Sequence, residues 1–194
     1  MSSSLRIIVA DDEPLLVEEL SFFLDKLGHQ VVGTASSGKE LVDLCAQLQP
    51  DLVVTDIKMP ELDGLEAAKL VRGSSHPVPF VVVTAYPDKE FLHRAADQHV
   101  MAYLVKPIRE EDLRATIYLA MQRFHELQFL LRETNDLKRS LEERKLVERA
   151  KGILMKRATL SEADAFRRLQ ELASTKHQKM AEIAKTVIAA DEFF

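Results

Sequence analysis

Five side chains in this 194-residue chain have types and positions that could act together: Asp11, Asp12, Asp56, Thr84 and Lys106. Clustered carboxylates without histidine or cysteine suit a hard cation, and Mg2+ needs only a few of them plus waters. The Asp11-Asp12 pair alone also reads as strand-end solvation or helix N-capping, because aspartate is stabilised there. The three further residues sit at the expected ends of the third, fourth and fifth strands, which favours a site over chance.

The elements that must position them are legible as alternating patterns. Leu5–Ala10, Val31–Thr34, Leu52–Thr55, Phe80–Thr84 and Ala102–Val105 read as five buried strands. Four are nearly continuous in apolar residues, as parallel strands covered on both faces must be. Helical patterns lie between them, over Pro14–Leu27, Gly38–Leu48, Leu65–Val71 and Asp88–Asp97. Pro14 stands where a first-turn proline is tolerated, and Gly28 where a helix C′ residue belongs. Strands alternating with such helices predict an α/β, doubly wound, flavodoxin-like five-stranded parallel sheet. Ligands of such sheets bind outside the carboxyl ends of the strands, where the acids are expected.

Composition sets outer bounds. The chain is 46% hydrophobic and 29% charged with net charge −5, a soluble globular profile rather than a disordered one. The longest apolar run is a few residues, against the ~20 of a membrane span. The first residues, Met1-Ser-Ser-Ser4, have no basic head and apolar core of a signal peptide. The single cysteine, Cys45, excludes an internal disulfide and a thiolate zinc site. These point to the cytoplasm and to no membrane partner. The charge is uneven: residues 1–120 hold 11 basic and 19 acidic side chains, whereas 144–185 hold 11 basic and 5 acidic. An acidic regulatory domain joined to a polyanion-binding one would produce that asymmetry; so would a solvated basic helix face.

From Glu110 the strand pattern stops. Leu113, Ile117, Ala120, Phe124, Leu127 and Leu131 are spaced 4, 3, 4, 3, 4, then the stripe slips and continues through Leu137, Leu141 and Arg144 with Thr134 in the seam. This predicts a long helix forming a modest coiled coil. The last ~50 residues read as a small all-α unit of three helices. Ser161-Glu-Ala-Asp164 and Thr175-Lys-His-Gln178 each match a capping box. The sets Ala163, Phe166, Leu169, Ala173 and Met180, Ile183, Ala184, Val187 are expected to bury one core, with Phe166 inside it. Lys145, Arg149, Gly152 and Lys156 share one helical stripe, and the missing side chain at Gly152 would allow a backbone to approach or serve helix packing.

Residues 4–122 resemble the receiver domain of two-component response regulators, through Asp11-Asp12-Glu13-Pro14, Asp56-Ile-Lys-Met59-Pro60-Glu-Leu-Asp63-Gly64, Thr84-Ala85 and Tyr103-Leu-Val-Lys106-Pro107, in order and at intact spacing. The resemblance implies that Asp56 is the phosphoacceptor, that Asp12 and Asp56 hold Mg2+ directly and Asp11 through water, and that Lys58 lends its backbone carbonyl to the metal. It implies a cis-proline turn at Lys106-Pro107 and a switch in which Thr84 turns toward the phosphoryl group and Tyr103 follows inward. Phosphoryl transfer onto a carboxylate requires charge neutralisation more than acid–base work, which Mg2+ and Lys106 would supply. Such a chain is not an enzyme beyond its own phosphoryl transfer and dephosphorylation, and its donor would be a sensor histidine kinase.

Residues 135–190 resemble the ANTAR domain, an RNA-binding antitermination module, through Ala150-Lys-Gly-Ile-Leu-Met155, Ser161-Glu-Ala-Asp-Ala-Phe-Arg-Arg-Leu169 and Met180-Ala-Glu-Ile-Ala184. Basic side chains would supply salt-dependent phosphate contacts; the candidates are Lys145, Arg149, Lys151, Gly152, Lys156, Arg157, Arg167, Arg168, Lys176 and Lys179. The expected organisation is a receiver over 1–122, a coiled-coil linker over 123–144 and an RNA-binding unit over 145–194. The expected function is a phosphorylation-promoted homodimer that binds a stem-loop in a leader transcript and controls transcription termination. Two rivals are a DNA-binding regulator with a helix-turn-helix and a protein-interaction output. Met180–Ile188 offers mainly Ala, Ile and one Lys, a poor base-reading helix.

The other candidates are plainer. Cys45, among Leu41, Leu44 and Leu48, reads as a buried structural thiol. The six histidines show no ligand spacing, and His125 reads as a surface residue. Lys58 and Tyr86 are expected over the carboxyl edge, where Tyr86 would shield the acyl phosphate from water.

Overall fold

The computed structural model describes residues 4–74, 76–85 and 100–191. They fall into two compact units divided between Leu127 and Gln128. In the first, β1 (Arg6–Ala10), β2 (Gln30–Ala35), β3 (Leu52–Asp56), β4 (Phe80–Thr84) and β5 (Ala102–Val105) form one parallel sheet in the order β2-β1-β3-β4-β5. This is the doubly wound, flavodoxin-like order, in which the connections reverse direction beside β1 and β3. The helix expected over Asp88–Asp97 lies outside the described residues.

Alternation along the strands fills both faces. Ile7, Val9, Leu52, Val54, Val81 and Val83 pack on one side with Leu20 and Leu24 of α1 (Pro14–Lys26). Ile8, Ala10 and Val53 face the other side, against Leu41 and Cys45 of α2 (Gly38–Leu48) and Ala67, Ala68 and Val71 of α3 (Gly64–Arg72). Each helix starts on a local device. Pro14 occupies the first turn of α1, Ser37 Oγ accepts from Glu40 N–H at 3.2 Å, and Asp63 Oδ1 accepts from Glu66 N–H at 2.7 Å. Gly28 closes α1 at φ 82°, a left-handed position that suits glycine.

A single helix, α4, runs from Glu110 to Ala158. Leu113, Ile117 and Ala120 are fully buried in the first unit's core, so the first members of the expected seam pack on the sheet. The segment 123–144 is helix throughout, continuous with what precedes and follows it. Its Leu130, Leu131, Leu137 and Leu141 are about half exposed or more. With Leu127 and Thr134, Leu130 gives a 3, 4, 3, 4 spacing through Leu141, an alternative to the seam through Leu131.

The second unit packs the end of α4 against α5 (Glu162–Lys176) and α6 (Met180–Asp191). Its core is Ala150, Leu169, Ile183, Ala184 and Ile188. Ser161 caps α5 as its box predicts, accepting from Asp164 N–H at 3.2 Å. Three expectations are corrected. Thr175 starts no helix: it lies in the last turn of α5, which closes where His177 turns left-handed at φ 51° and Gln178 N–H bonds Ala173 C=O at 3.0 Å. Ala163 is exposed, and Ala165 takes the buried position beside Leu169. Phe166 is not core; 40% of its surface faces solvent.

Candidate functional site

The carboxyl ends of β1, β3 and β5 bring Asp11, Asp56 and Lys106 together. Lys106 Nζ lies 2.8 Å from Asp56 Oδ1 and 3.2 Å from Asp11 Oδ2. Each carboxylate uses its second oxygen on a backbone amide. Asp11 Oδ1 accepts from Glu13 N–H at 2.9 Å and Asp56 Oδ2 from Lys58 N–H at 2.6 Å. Both turns are i to i+2, the local bond that aspartate makes at strand ends. Two acids are thereby aimed at one ammonium.

Burial sets the electrostatics. Asp11 is 2% exposed, and desolvation pushes its carboxyl above the usual aspartate range despite the Glu13 amide and Lys106. For Lys106, burial works to lower the value, but hydrogen bonds and charge from Asp56, then Asp11, carry it above the ordinary lysine value. One ammonium serving two carboxylates leaves the pair short of positive charge, so the pocket favours a further cation.

The remaining receiver-motif residues are placed around this centre. Thr84 ends β4, buried, and its carbonyl accepts from Lys106 N–H at 2.9 Å. Asp12 is exposed beside Asp11, and Lys58 is exposed two residues past Asp56. Tyr103 stands on β5 with 43% of its surface exposed. The Lys106-Pro107 peptide is cis, as the resemblance implies. Gly64 has a tighter reason to be glycine than the motif shows: a Cβ there would collide with the Asp56 carbonyl oxygen, and its N–H bonds Ile57 C=O at 2.9 Å. The start of α3 is thus pressed onto the backbone of the phosphoacceptor candidate. Tyr86 lies outside the described residues.

The hard-oxygen donor set fits Mg2+, which binds through one or two carboxylates and keeps its waters. Among the described residues no three acids, histidines or cysteines form a ready-made cage, and such an ion does not require one. Asp56 and Asp12 would hold it, with Asp11 behind.

In the second unit the structure sorts the basic residues by their partners. Lys151 is buried and bridges Glu148 at 2.9 Å and Glu162 at 2.8 Å. It therefore leaves the candidate RNA contacts: its ammonium joins α4 to α5. Lys145 pairs with Glu142 and Arg157 with Asp191, each at 2.8 Å, while Arg167 and Arg168 stand 3.7 Å from Asp164 and Glu171. Among the described residues Arg144, Lys156, Lys176 and Lys179 make no ion pair. Arg149, Gly152, Lys156 and Arg157 line a groove of about 590 Å3. A Cβ at Gly152 would meet nothing within 4 Å, so its backbone faces open space and packs against no helix.

The exposure of Phe166 was not legible in the sequence, because Phe166 fits an apolar period as well as Leu169 does and only the tertiary packing of α6 beside α4 distinguishes them.

Cys45 is buried, and burial pushes its thiol up to about 12, which fits a structural residue. His125 is exposed. Among the described residues no helix is long and apolar enough to cross a membrane.

Comparison with known proteins agrees with both units. Residues 7–118 match the response regulator receiver domain and residues 135–188 the ANTAR domain. The transcriptional regulatory protein PdtaR of Mycobacterium tuberculosis is 41% identical over 183 residues, 94% of this chain and 89% of that protein. The positive alginate biosynthesis regulatory protein of Pseudomonas aeruginosa is 39% identical over 111 residues, 56% of this chain and 44% of its own length. Among solved structures, the response regulator domain of Thermotoga maritima CheB superimposes with a TM-score of 0.57 at 27% identity, covering 62% of this chain and 98% of that one. The signal receiver domain of a modulated diguanylate cyclase from Desulfovibrio desulfuricans gives 0.58 at 28%, over 62% and 96%.

Proposed function

The chain belongs to the response regulators that join a receiver to an ANTAR domain, and on that premise we propose that it is a phosphorylation-controlled RNA-binding regulator of transcription termination. The observation that carries the reading is the convergence of Asp56 and Asp11 on Lys106, in a chain whose second unit matches ANTAR. Receiver domains use Mg2+ for phosphorylation, and the ion would supply charge stabilisation at the transferring oxygens. Asp56 takes the phosphoryl group from a sensor histidine kinase, Lys106 neutralises a phosphoryl oxygen, and Thr84 donates its hydroxyl to another. Tyr103 follows Thr84 inward. The chain performs no other catalysis.

Phosphorylation shifts the population toward a homodimer formed by two copies of α4 along Leu127, Leu130, Leu137 and Leu141. Two RNA-binding units in one complex gain avidity on a leader stem-loop without new contacts. Unpaired Lys156, with Arg149 beside open Gly152, supports phosphate contact along that groove.

The test is RNA binding by the full chain, with and without a small-molecule phosphodonor and Mg2+, across a salt series and against duplex DNA of matched length. Tighter RNA binding on phosphorylation, with a steep salt slope, is expected. Replacing Lys145, Arg149 and Lys156 by Gln is expected to flatten that slope by roughly two to three. Preference for duplex DNA would favour the helix-turn-helix rival, and binding to neither a protein-interaction output.

A further inference from the structure

The second unit carries a groove of about 510 Å3 where α5 and the start of α6 meet α4, on a different helix face from Lys145, Arg149 and Lys156. Its floor is Val147, Phe166 and Met180, and its rim includes Arg144 and Lys179. One exposed aromatic is ordinary on a protein surface. Its setting is not ordinary. Two acids also line the groove, and both are engaged by cations outside it: Glu143 with Arg139 at 3.2 Å and Glu148 with Lys151 at 2.9 Å. Arg144 and Lys179 make no ion pair among the described residues. The lining balances two acids against two cations, but the acids are turned to neighbouring cations while Arg144 and Lys179 flank an apolar floor bearing a half-exposed ring.

We propose that this groove receives an unpaired RNA base, stacked on Phe166, with the phosphates on either side held by Arg144 and Lys179. The inference rests on the RNA-binding reading and deepens it by naming where a base is taken up. Sequence-specific RNA recognition draws on splayed, unstacked bases laid on aromatic rings, because the A-form major groove is too narrow for side chains to read. Stacking tolerates any base, since each has a π-face, and cations beside the ring grip the backbone. Of the aromatic rings among the second unit's described residues, Phe129, Phe166 and His177, Phe166 is the one that lines this groove, between Arg144 and Lys179. The ring supplies the apolar contact, and the two cations supply the electrostatic one.

The experiment uses the full chain and two fluorescent hairpin RNAs with the same stem, one with an adenine loop and one with an abasic loop of equal length. The wild type is expected to bind the base-bearing loop roughly tenfold or more tightly than the abasic one. Phe166→Leu, which keeps an apolar side chain but lacks the ring, is expected to lose that preference, and Phe166→Trp to keep it. A residue with only a packing role would not move this ratio. Arg144→Gln with Lys179→Gln is expected to lower the salt slope by roughly one to two while leaving the ratio in place. Equal binding of both loops by the wild type, or a preference that survives in Phe166→Leu, overturns the stacking site and leaves RNA binding standing. Absence of any RNA binding by the phosphorylated wild type overturns both.

Discussion

The Lys151 ammonium on α4 lies 2.8 Å from the carboxylate of Glu162, the first residue of α5. With Glu148 on its other side, it is held above the ordinary lysine value, chiefly by its hydrogen bond to Glu162. A lysine inside the matched motif is thus committed to holding two helices together. Lys151→Met is expected to accelerate amide exchange in α5 without changing the salt slope of RNA binding. In a cycle with Glu162→Gln, the double variant should lose less than the two single losses combined. Amide exchange of the four proteins measures this, and a reduced salt slope with unchanged exchange would return Lys151 to the RNA contacts.

At the other end of the chain, the proposed reading gives Asp56 and Asp11 different roles, Asp56 as phosphoacceptor and Asp11 behind the metal. Both are buried, with Asp56 at 8% exposure and Asp11 at 2%. Asp56→Asn is expected to abolish Mg2+-dependent labelling by a small phosphodonor while retaining the fold, and Asp11→Asn to weaken it. Mass spectrometry of intact protein reads both, and stoichiometric labelling of Asp56→Asn would remove the assignment.

The exposed leucines of α4 predict where copies meet. Leu130, Leu137 and Leu141 are 51%, 67% and 54% exposed, and burying such side chains contributes about 25 cal/mol per Å2. Leu137→Glu with Leu141→Glu is expected to weaken self-association of the phosphorylated chain at least tenfold and to leave labelling of Asp56 intact. Leu131→Glu should have the smaller effect if the register runs through Leu130. Sedimentation of the phosphorylated variants decides between the two registers.

What could be read in the sequence follows from what is local. Strand ends, the Ser161 cap and the Gly28 helix end each depend on residues within a few positions, and all were legible, whereas the Asp63 cap was not singled out. The core set of α5 was not, because Ala165 and Phe166 are neighbours on the helix and only the approach of α4 and α6 decides which is covered. The bridging position of Lys151 was not legible for a similar reason: its partner Glu162 is eleven residues away, across a turn. The collision that keeps Gly64 a glycine lies against the Asp56 backbone, and the motif marks that position without showing its cause.

A final prediction concerns pH. His29, in the turn between α1 and β2, accepts a hydrogen bond at Nδ1 from Leu5 N–H at 3.3 Å. Burial lowers its value below the ordinary 6.5, and a protonated ring would also turn a second donor toward that amide. The groove it shares with α4 holds Lys26, Glu111, Arg114 and His125. Lys26 and Arg114 are both paired with Glu110. The folded value is depressed, so below about pH 6.5 the unfolded chain binds more protons and stability falls as pH falls. The contribution is complete above that pH and is lost toward the folded value. His29→Gln keeps an acceptor for Leu5 and does not titrate. Between pH 7.5 and 5.5 the wild-type urea midpoint for the sheet unit should therefore drop more than that of the variant. Carboxylates titrating at the lower end act on both proteins alike and cancel in the comparison. Parallel pH profiles would mean that His29 takes up its proton without cost to the fold.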